Sequence, residues 1–320
     1  MKRETAPDSK GIALASVLSN RPIRSNFWKL LLKLDAKGSC LFSKAIPGQF
    51  AEFDVSSVSV PPQEVIPENL RDQASRTVLL RRPFSFSDVS VTYSIEGTYV
   101  TLEIIYRVLG PATIRMTSLK TNDVISILGP LGNGFWYPEP MKYALLVTGG
   151  MGAPPILHLA SFLKRQYPSV ETVAFVGARS LDFLPFEVKI GNKTGLALEE
   201  FECLNIPVYP ATDDGSAGRK GFITELLEEW LRTHTPPIEQ TVIYACGPEA
   251  MLAACADIAQ RYQIHCQVSM ERMMACGIGI CQSCAVQIRT PNPDQPPLYR
   301  LCCKDGPVFD SQTVIFGENR

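Results

Sequence analysis

The stretch Tyr143-Ala144-Leu145-Leu146-Val147-Thr148-Gly149-Gly150-Met151-Gly152-Ala153-Pro154-Pro155 decides the fold of this chain. Its first six residues form an apolar run one strand long, the pattern of a strand buried on both faces. A glycine turn follows, and then a helical stretch from about Pro155 to Gln166. Downstream the alternation continues. Thr172 to Val176, Ile206 to Ala211 and Thr241 to Ala245 read as strands, and Phe222 to Arg232 and Glu249 to Tyr262 as helices. Buried strands alternating with helices imply a parallel α/β sheet, expected over residues 139–265.

Upstream the rhythm is different. Phe27 to Leu34, Gln49 to Val55, Val78 to Leu80, Tyr99 to Val108 and Val124 to Leu128 are short apolar, aromatic and β-branched runs punctuated by Gly and Pro. Regularly spaced short strands predict an antiparallel β barrel over residues 21–138. The polar, proline-containing stretch from Ser56 to Thr77 is expected to be a surface insertion, and residues 1–20 a loose tail. Residues 266–320 are cysteine-rich, lack helix signals and form a third unit. No internal repeat is visible.

The bulk numbers are those of an ordinary globular protein: 320 residues, 45% hydrophobic, 20% charged, net charge −1. Nothing in them points to a nucleic-acid or anionic-membrane partner. No apolar run of about 18 residues occurs, and the N-terminus has basic residues but no apolar core of a secretory signal. The expectation is a cytoplasmic chain. Its ten cysteines then imply metal binding or simple burial rather than disulfides.

Five of those cysteines crowd between Cys276 and Cys303. Cys276-Gly277-Ile278-Gly279-Ile280-Cys281-Gln282-Ser283-Cys284 has C-x4-C-x2-C spacing, the plant-type pattern for a 2Fe-2S cluster, which needs one more distant thiolate. Four sulfurs must converge on two irons. Gly277 and Gly279 allow the loop to curl and its amides to approach the sulfurs. Buried free thiols and a structural zinc site are the rival readings. Zinc ribbons carry two C-x2-C pairs, and this segment has one. The fourth ligand is Cys302 or Cys303, whose side chains point opposite ways if the segment is extended.

Two strand-to-helix turns, Gly149 to Pro155 and Cys246-Gly247-Pro248, fall at the C-terminal ends of predicted parallel strands, where ligands of open α/β sheets bind. A helix N-terminus there would favour a nucleotide phosphate, although Pro155 departs from the G-x-G-x-x-G dinucleotide fingerprint. Each turn alone is equally plain punctuation. Arg81-Arg82-Pro83-Phe84-Ser85 reads either as a solvated basic strand end or as a pyrophosphate contact through Arg82. His158, His234 and His265 show no ligand spacing.

The order of Pro47-Gly48-Gln49-Phe50, Arg82-Pro83-Phe84-Ser85, Gly150-x-Gly152-x-x-Pro155 and Cys246-Gly247-Pro248 resembles the ferredoxin–NADP reductase superfamily. Within it, Gly129 to Phe135, Met274 to Gly279 and Cys303 to Phe309 resemble the electron transfer subunits of class B dihydroorotate dehydrogenases, over about residues 25–315. The resemblance implies an FAD-binding barrel, an NAD-binding α/β domain and a small 2Fe-2S domain. Arg82, Pro83, Phe84 and Ser85 would hold FAD, with Arg82 on the pyrophosphate and Ser85 near the reactive flavin edge. Ile105, Tyr106 and Arg107 would line the same cofactor. Ala112 and Thr113 match a Gly-Thr that contacts FAD phosphate, the alanine being a departure. Gly150, Gly152, Pro155, Cys246, Gly247 and Pro248 would receive NAD as a diffusible substrate. The ligand set becomes Cys276, Cys281, Cys284 and Cys303, because the family's fourth ligand precedes x-Asp-Gly-Pro.

The implied activity is electron transfer. A hydride carries two electrons and the cluster accepts one at a time, so a flavin must convert between them. The implied partner is the FMN-containing catalytic subunit that oxidises dihydroorotate in pyrimidine biosynthesis, in a heterotetramer, with electrons passing through this chain to NAD+. No side chain need act as nucleophile or general base, and no orotate site is expected here. A reductase subunit of another complex, of the hydrogenase or glutamate-synthase type, and a non-catalytic iron–sulfur redox sensor are the alternatives. NAD is not distinguished from NADP by the sequence: Arg179 follows the second α/β strand, where a 2′-phosphate would lie.

Overall fold

In the computed structural model, which describes residues 10–95, 97–189, 197–292 and 294–317, two seven-stranded sheets divide the chain. The first contains β1 (Gly11–Arg24), β2 (Phe27–Leu34), β3 (Phe50–Asp54), β4 (Arg82–Ser85), β5 (Asp88–Ser94), β6 (Gly97–Arg107) and β7 (Val124–Leu131), with helices α1 (Ala36–Phe42) and α2 (Pro111–Met116). Its order is β4-β3-β7-β1-β2-β6-β5, and every pair is antiparallel. The sheet curls until β4 reaches β6: the Phe84 and Tyr106 rings stand edge to face, 6.4 Å apart. The interior is the expected barrel core, filled by residues such as Leu30, Leu32, Phe53, Phe86, Leu102 and Ile127.

The second sheet runs β13-β12-β9-β8-β14-β15-β18. Its strands are β8 (Tyr143–Gly149), β9 (Glu171–Ala178), β12 (Val208–Thr212), β13 (Arg219–Lys220), β14 (Thr241–Cys246), β15 (His265–Ser269) and β18 (Val308–Asp310). Between β9 and β12 lie a two-stranded pair, β10 (Val188–Lys189) and β11 (Ala197–Leu198), and the short helix α4 (Glu199–Glu202). All pairs in the large sheet are parallel except β15 with β18. Helices α3 (Ala153–Gln166), α5 (Ile223–His234) and α6 (Glu249–Tyr262) cover it. β8 has β9 on one side and β14 on the other. The strand order therefore reverses at β8, and a crevice opens at its C-terminal end. No described helix is long and apolar enough to cross a membrane.

Four expectations need correction. The tail expected over residues 1–20 is a central strand from Gly11 onward, while Met1 to Ser9 lie outside the described residues. β1 escapes a hydrophobic-pattern reading because it turns its small residues inward: Ala13, Ala15 and Val17 are buried, whereas Ile12 and Leu14 are each 52% exposed. Val78 to Leu80 is not a strand. β3 ends at Asp54, whose carboxylate caps Ser56, so β4 starts only where Arg82 faces Phe53 and nothing remains to pair with 78–80. The stretch from Ser56 to Thr77 is not merely superficial, because two short 3-10 segments, Gln63–Val65 and Glu68–Gln73, place Ile66, Leu70 and Ala74 in the barrel core. The third unit does not begin cleanly at residue 266. β15 extends the parallel sheet, β18 closes its edge, and the thiol-bearing segment is an excursion between them that includes the hairpin β16 (Ala285–Ile288) and β17 (Leu298–Leu301).

Candidate redox site

Two cavities meet at the crevice. The larger, about 620 Å³, runs along the ends of β8 and β9 and is lined by Gly150, Arg107, Arg179, Asp213, Phe222 and Pro248 among others. Behind its lining residues Gly149, Gly150 and Pro248, the two turns approach each other closely through backbone. A Cβ on Gly152 would lie 2.0 Å from the Cys246 carbonyl oxygen, so the two turns interlock only with glycine there. Pro154 and Pro155 occupy the second and third positions of α3 and have no N–H to offer an anion. The helix ends that border this cleft are those of α5, at Ile223 and Thr224, and of α6, at Ala250 and Met251. Arg107 stacks on Phe183, 4.4 Å from its ring centre; burial and the neighbouring Arg179 lower its pKa.

The smaller cavity, about 430 Å³, lies where barrel, α/β sheet and thiol segment come together. Pro83 and Ser85 of β4, Pro155 of the glycine turn, Cys246 of the second turn and Met274 beside the thiol loop all line it. Met151 and Glu271 line both cavities, so the two spaces are neighbours across a shared wall. Burial raises the pKa of Glu271 and, strongly, that of the Cys246 thiol, which hydrogen-bonds the Ser269 side chain.

The remaining expected residues line neither cavity. Phe84 points into the barrel, edge-on to Phe53 at 5.2 Å. Tyr106 is buried and donates to Asn20 Oδ1 at 3.1 Å. Ile105 packs with Phe135 in the core under the parallel sheet. Ala112 is buried in α2, and Thr113 Oγ1 accepts from the Leu109 and Gly110 amides at 2.9 and 3.2 Å, holding the first turn of that helix. Arg82 donates to the Leu80 and Arg81 carbonyls at 2.8 and 3.1 Å. Gly247, in the second turn, has a positive φ and faces the Gly149 backbone of the first. Sequence reasoning did not single out Glu271 or Met151 as site residues. Nothing in the linear pattern distinguishes a buried acid from the solvated ones around it.

The thiols gather as two pairs. The amides of Ile280 and Cys281 both donate to Cys276 Sγ at 3.4 Å. Hydrogen bonds from Ser283 and Cys276 pull the Cys281 thiol down to about 6. Cys284 and Cys303 bring their sulfurs to 3.3 Å, and the Cys303 amide donates to Cys284 Sγ at 3.5 Å. Burial and Cys284 push the Cys303 thiol up to about 12. Cys302 faces the opposite way and donates to the Met270 carbonyl at 3.2 Å. Among the described residues, no three His, Cys, Asp or Glu side chains converge to hold a single metal ion. Two dithiol pairs, each suited to one iron of a two-iron cluster, fit this arrangement better than one tetrahedral zinc.

The comparisons with known proteins agree with this geometry. A family model for the iron–sulfur cluster binding domain of dihydroorotate dehydrogenase B matches residues 271–315, and one for an oxidoreductase NAD-binding domain matches residues 146–257. The chain is 33% identical over 302 residues to the dihydroorotate dehydrogenase B (NAD(+)) electron transfer subunit of Caldanaerobacter subterraneus, covering 94% of this chain and 98% of that one. It is 34% identical over 302 residues to the corresponding subunit of Bacillus velezensis, covering 93% and 97%. Among solved structures, an NADH-dependent reduced ferredoxin–NADP oxidoreductase superposes with a TM-score of 0.66 at 24% identity, covering 96% of this chain and 91% of that one. A ferredoxin NADP+ reductase from Neisseria gonorrhoeae has a TM-score of 0.53 at 16% identity, covering 82% and 95%. These two superpositions speak for the shared reductase fold alone. The relatives in sequence go further, and on their evidence this chain belongs to the family of dihydroorotate dehydrogenase B electron transfer subunits.

Proposed function

We propose that this chain relays electrons from an FMN-containing dihydroorotate dehydrogenase subunit to NAD+ by way of a 2Fe-2S cluster and FAD, in the cytoplasm and within a heterotetramer. The observation that carries the reading is the small cavity itself. One space is walled at once by β4, by both nucleotide-side turns and by the residues leading into the thiol loop.

The cluster would be held by Cys276 and Cys281 on one iron and Cys284 and Cys303 on the other. FAD would be held along Arg82, Pro83, Phe84 and Ser85, with Ile105, Tyr106 and Arg107 behind it and Ala112 and Thr113 at its phosphates. Of these, Pro83 and Ser85 present themselves to the small cavity, and Phe84 and Tyr106 stiffen the strands that carry them. Gly150, Gly152, Pro155, Cys246, Gly247 and Pro248 would shape the entry for NAD. When bound, FAD supplies the conversion between hydride and single electrons, and the cluster supplies a one-electron relay.

The protein's own part is order and exclusion of water. Cys284 and Cys303 are buried on the inner side of the loop, whereas Cys281 is exposed. Beside Cys281, Ile280 is 74% exposed and Met273 is 88% exposed. Apolar side chains left in water next to a redox centre are suited to a partner's surface. Anaerobic reconstitution of the purified chain with iron, sulfide and FAD tests the reading. The expected result is two irons and one FAD per chain with NADH–dye reductase activity. Zinc in place of iron, or failure to bind FAD, would overturn it. Recovery of the chain with a flavoprotein that makes orotate tests the partner.

A further inference from the structure

Glu52 is buried with nothing to hold it. On β3, Ala51 and Phe53 enter the barrel core, so Glu52 points outward, where a carboxylate would normally meet water. Instead it is 1% exposed. The thiol loop covers it: a Cβ on Gly277, which also has a φ of +66°, would lie 2.5 Å from Glu52 Oε1. Neither carboxyl oxygen has a hydrogen-bond partner among the described residues. The two nearby cations are engaged elsewhere. Arg81 donates to the main-chain carbonyl of Glu52 at 3.4 Å and to the carbonyl and hydroxyl of Ser126, each at 2.9 Å, and pairs with Asp54 at 3.5 Å, while Arg82 holds main-chain carbonyls, so neither reaches the Glu52 carboxyl with a hydrogen bond.

A buried polar group without a partner calls for an explanation. A structural strut would hydrogen-bond the loop it supports, and this one does not. Its position supplies another reason. Glu52 faces Pro83 across the β3–β4 ladder, and Phe50 stands two residues away on the same face. Both line the small cavity proposed for the flavin. On its other side is Gly277, next to the proposed ligand Cys276. The carboxyl thus stands in the wall between the two redox centres. Burial raises its pKa, Arg82 and Arg81 lower it and the like charge of Cys281 raises it again, so its ionised form is compared at alkaline pH.

We propose that Glu52 sets the driving force between the two centres: its carboxylate, pressed against the cluster loop from the flavin side, lowers the reduction potential of the cluster and so favours passage of single electrons from cluster to FAD. A fixed negative charge in a water-poor wall disfavours the extra electron of a reduced cluster. The inference rests on the cluster and flavin sites proposed above.

The test is an anaerobic redox titration of the full reconstituted chain at alkaline pH, following the cluster by electron paramagnetic resonance and the flavin by absorbance. Glu52→Gln, which keeps the shape and removes the charge, should shift the cluster midpoint upward and the flavin midpoint by less. An unmoved cluster midpoint, or a larger shift at the flavin, overturns the inference. If Glu52→Gln does not retain iron, Glu52→Asp and Glu52→Ala make the same comparison: a higher midpoint in the neutral variant supports the role, and equal midpoints remove it. A wild-type chain that takes up no iron would sink the functional reading as well, whereas an iron-replete chain with an unmoved midpoint sinks this inference alone.

Discussion

The nucleotide cleft and the thiol loop sit on either side of one cavity and are made in opposite ways. The cleft is backbone: two turns interlock through the missing side chain of Gly152, on a sheet whose strands are buried on both faces. The loop is side chain: four sulfurs carried on irregular backbone between two strands, with Gly277 and Gln282 in the left-handed region. Where a ligand is held by main chain, adding atoms should do the damage. Where it is held by thiols, removing atoms should.

The largest effect expected from this contrast is at the thiols. Cys303→Ser should lose the cluster, read as iron and sulfide per chain, whereas Cys302→Ser should retain it, because Cys302 turns away to the Met270 carbonyl. Equal iron loss from both variants would break the two-pair arrangement. The cleft predicts the opposite kind of sensitivity. Gly152→Ala drives a methyl into the Cys246 carbonyl and should cost more than about 3 kcal/mol of stability or abolish NADH binding. Gly150→Ala meets no atom within 4 Å and has only its φ of +53° to strain, so about 1 kcal/mol is expected. Urea midpoints of the two variants make the comparison; similar losses would show that contact is not what the turn depends on.

A third comparison concerns pH. α3 leaves the glycine turn and carries His158 into the interface with the barrel, where its ring meets Phe86 edge-on at 6.4 Å. Burial pushes its pKa down from 6.5 to about 4. As the pH falls the unfolded chain takes up this proton first. Stability is therefore full above pH 6.5 and falls by about 1.4 kcal/mol per pH unit down to about 4. His158→Gln should flatten that slope in urea titrations while leaving iron content alone. A slope that survives the substitution would move the acid-sensitive step away from this interface.

How much of this was legible in the chain differs between the two regions in the same way. The C-x4-C-x2-C spacing and the strand–glycine–helix order are local patterns, and local geometry honours them: β8, α3, β14 and α6 all appear where periodicity and turn residues place them. β1 was not legible, because a strand that buries alanines and exposes isoleucine and leucine inverts the usual signal. The role of Ser56 to Thr77 was hidden too, since Ile66, Leu70 and Ala74 follow no strand or helix period and become a core contribution only when two short 3-10 segments aim them together.

By itself, the order of residues determined the strand–turn–helix alternation of the α/β region, where its glycines had to be and that five thiols were available near the C-terminus. These follow from short-range sterics and side-chain period, which act within a few residues. Only the tertiary structure decided that Cys303 rather than Cys302 faces Cys284, that Glu271 borders both cavities and that Glu52 is sealed under Gly277. Each of those depends on segments far apart in the chain packing against one another, and burial, which sets their chemistry, is a property of the packed molecule and not of any one segment.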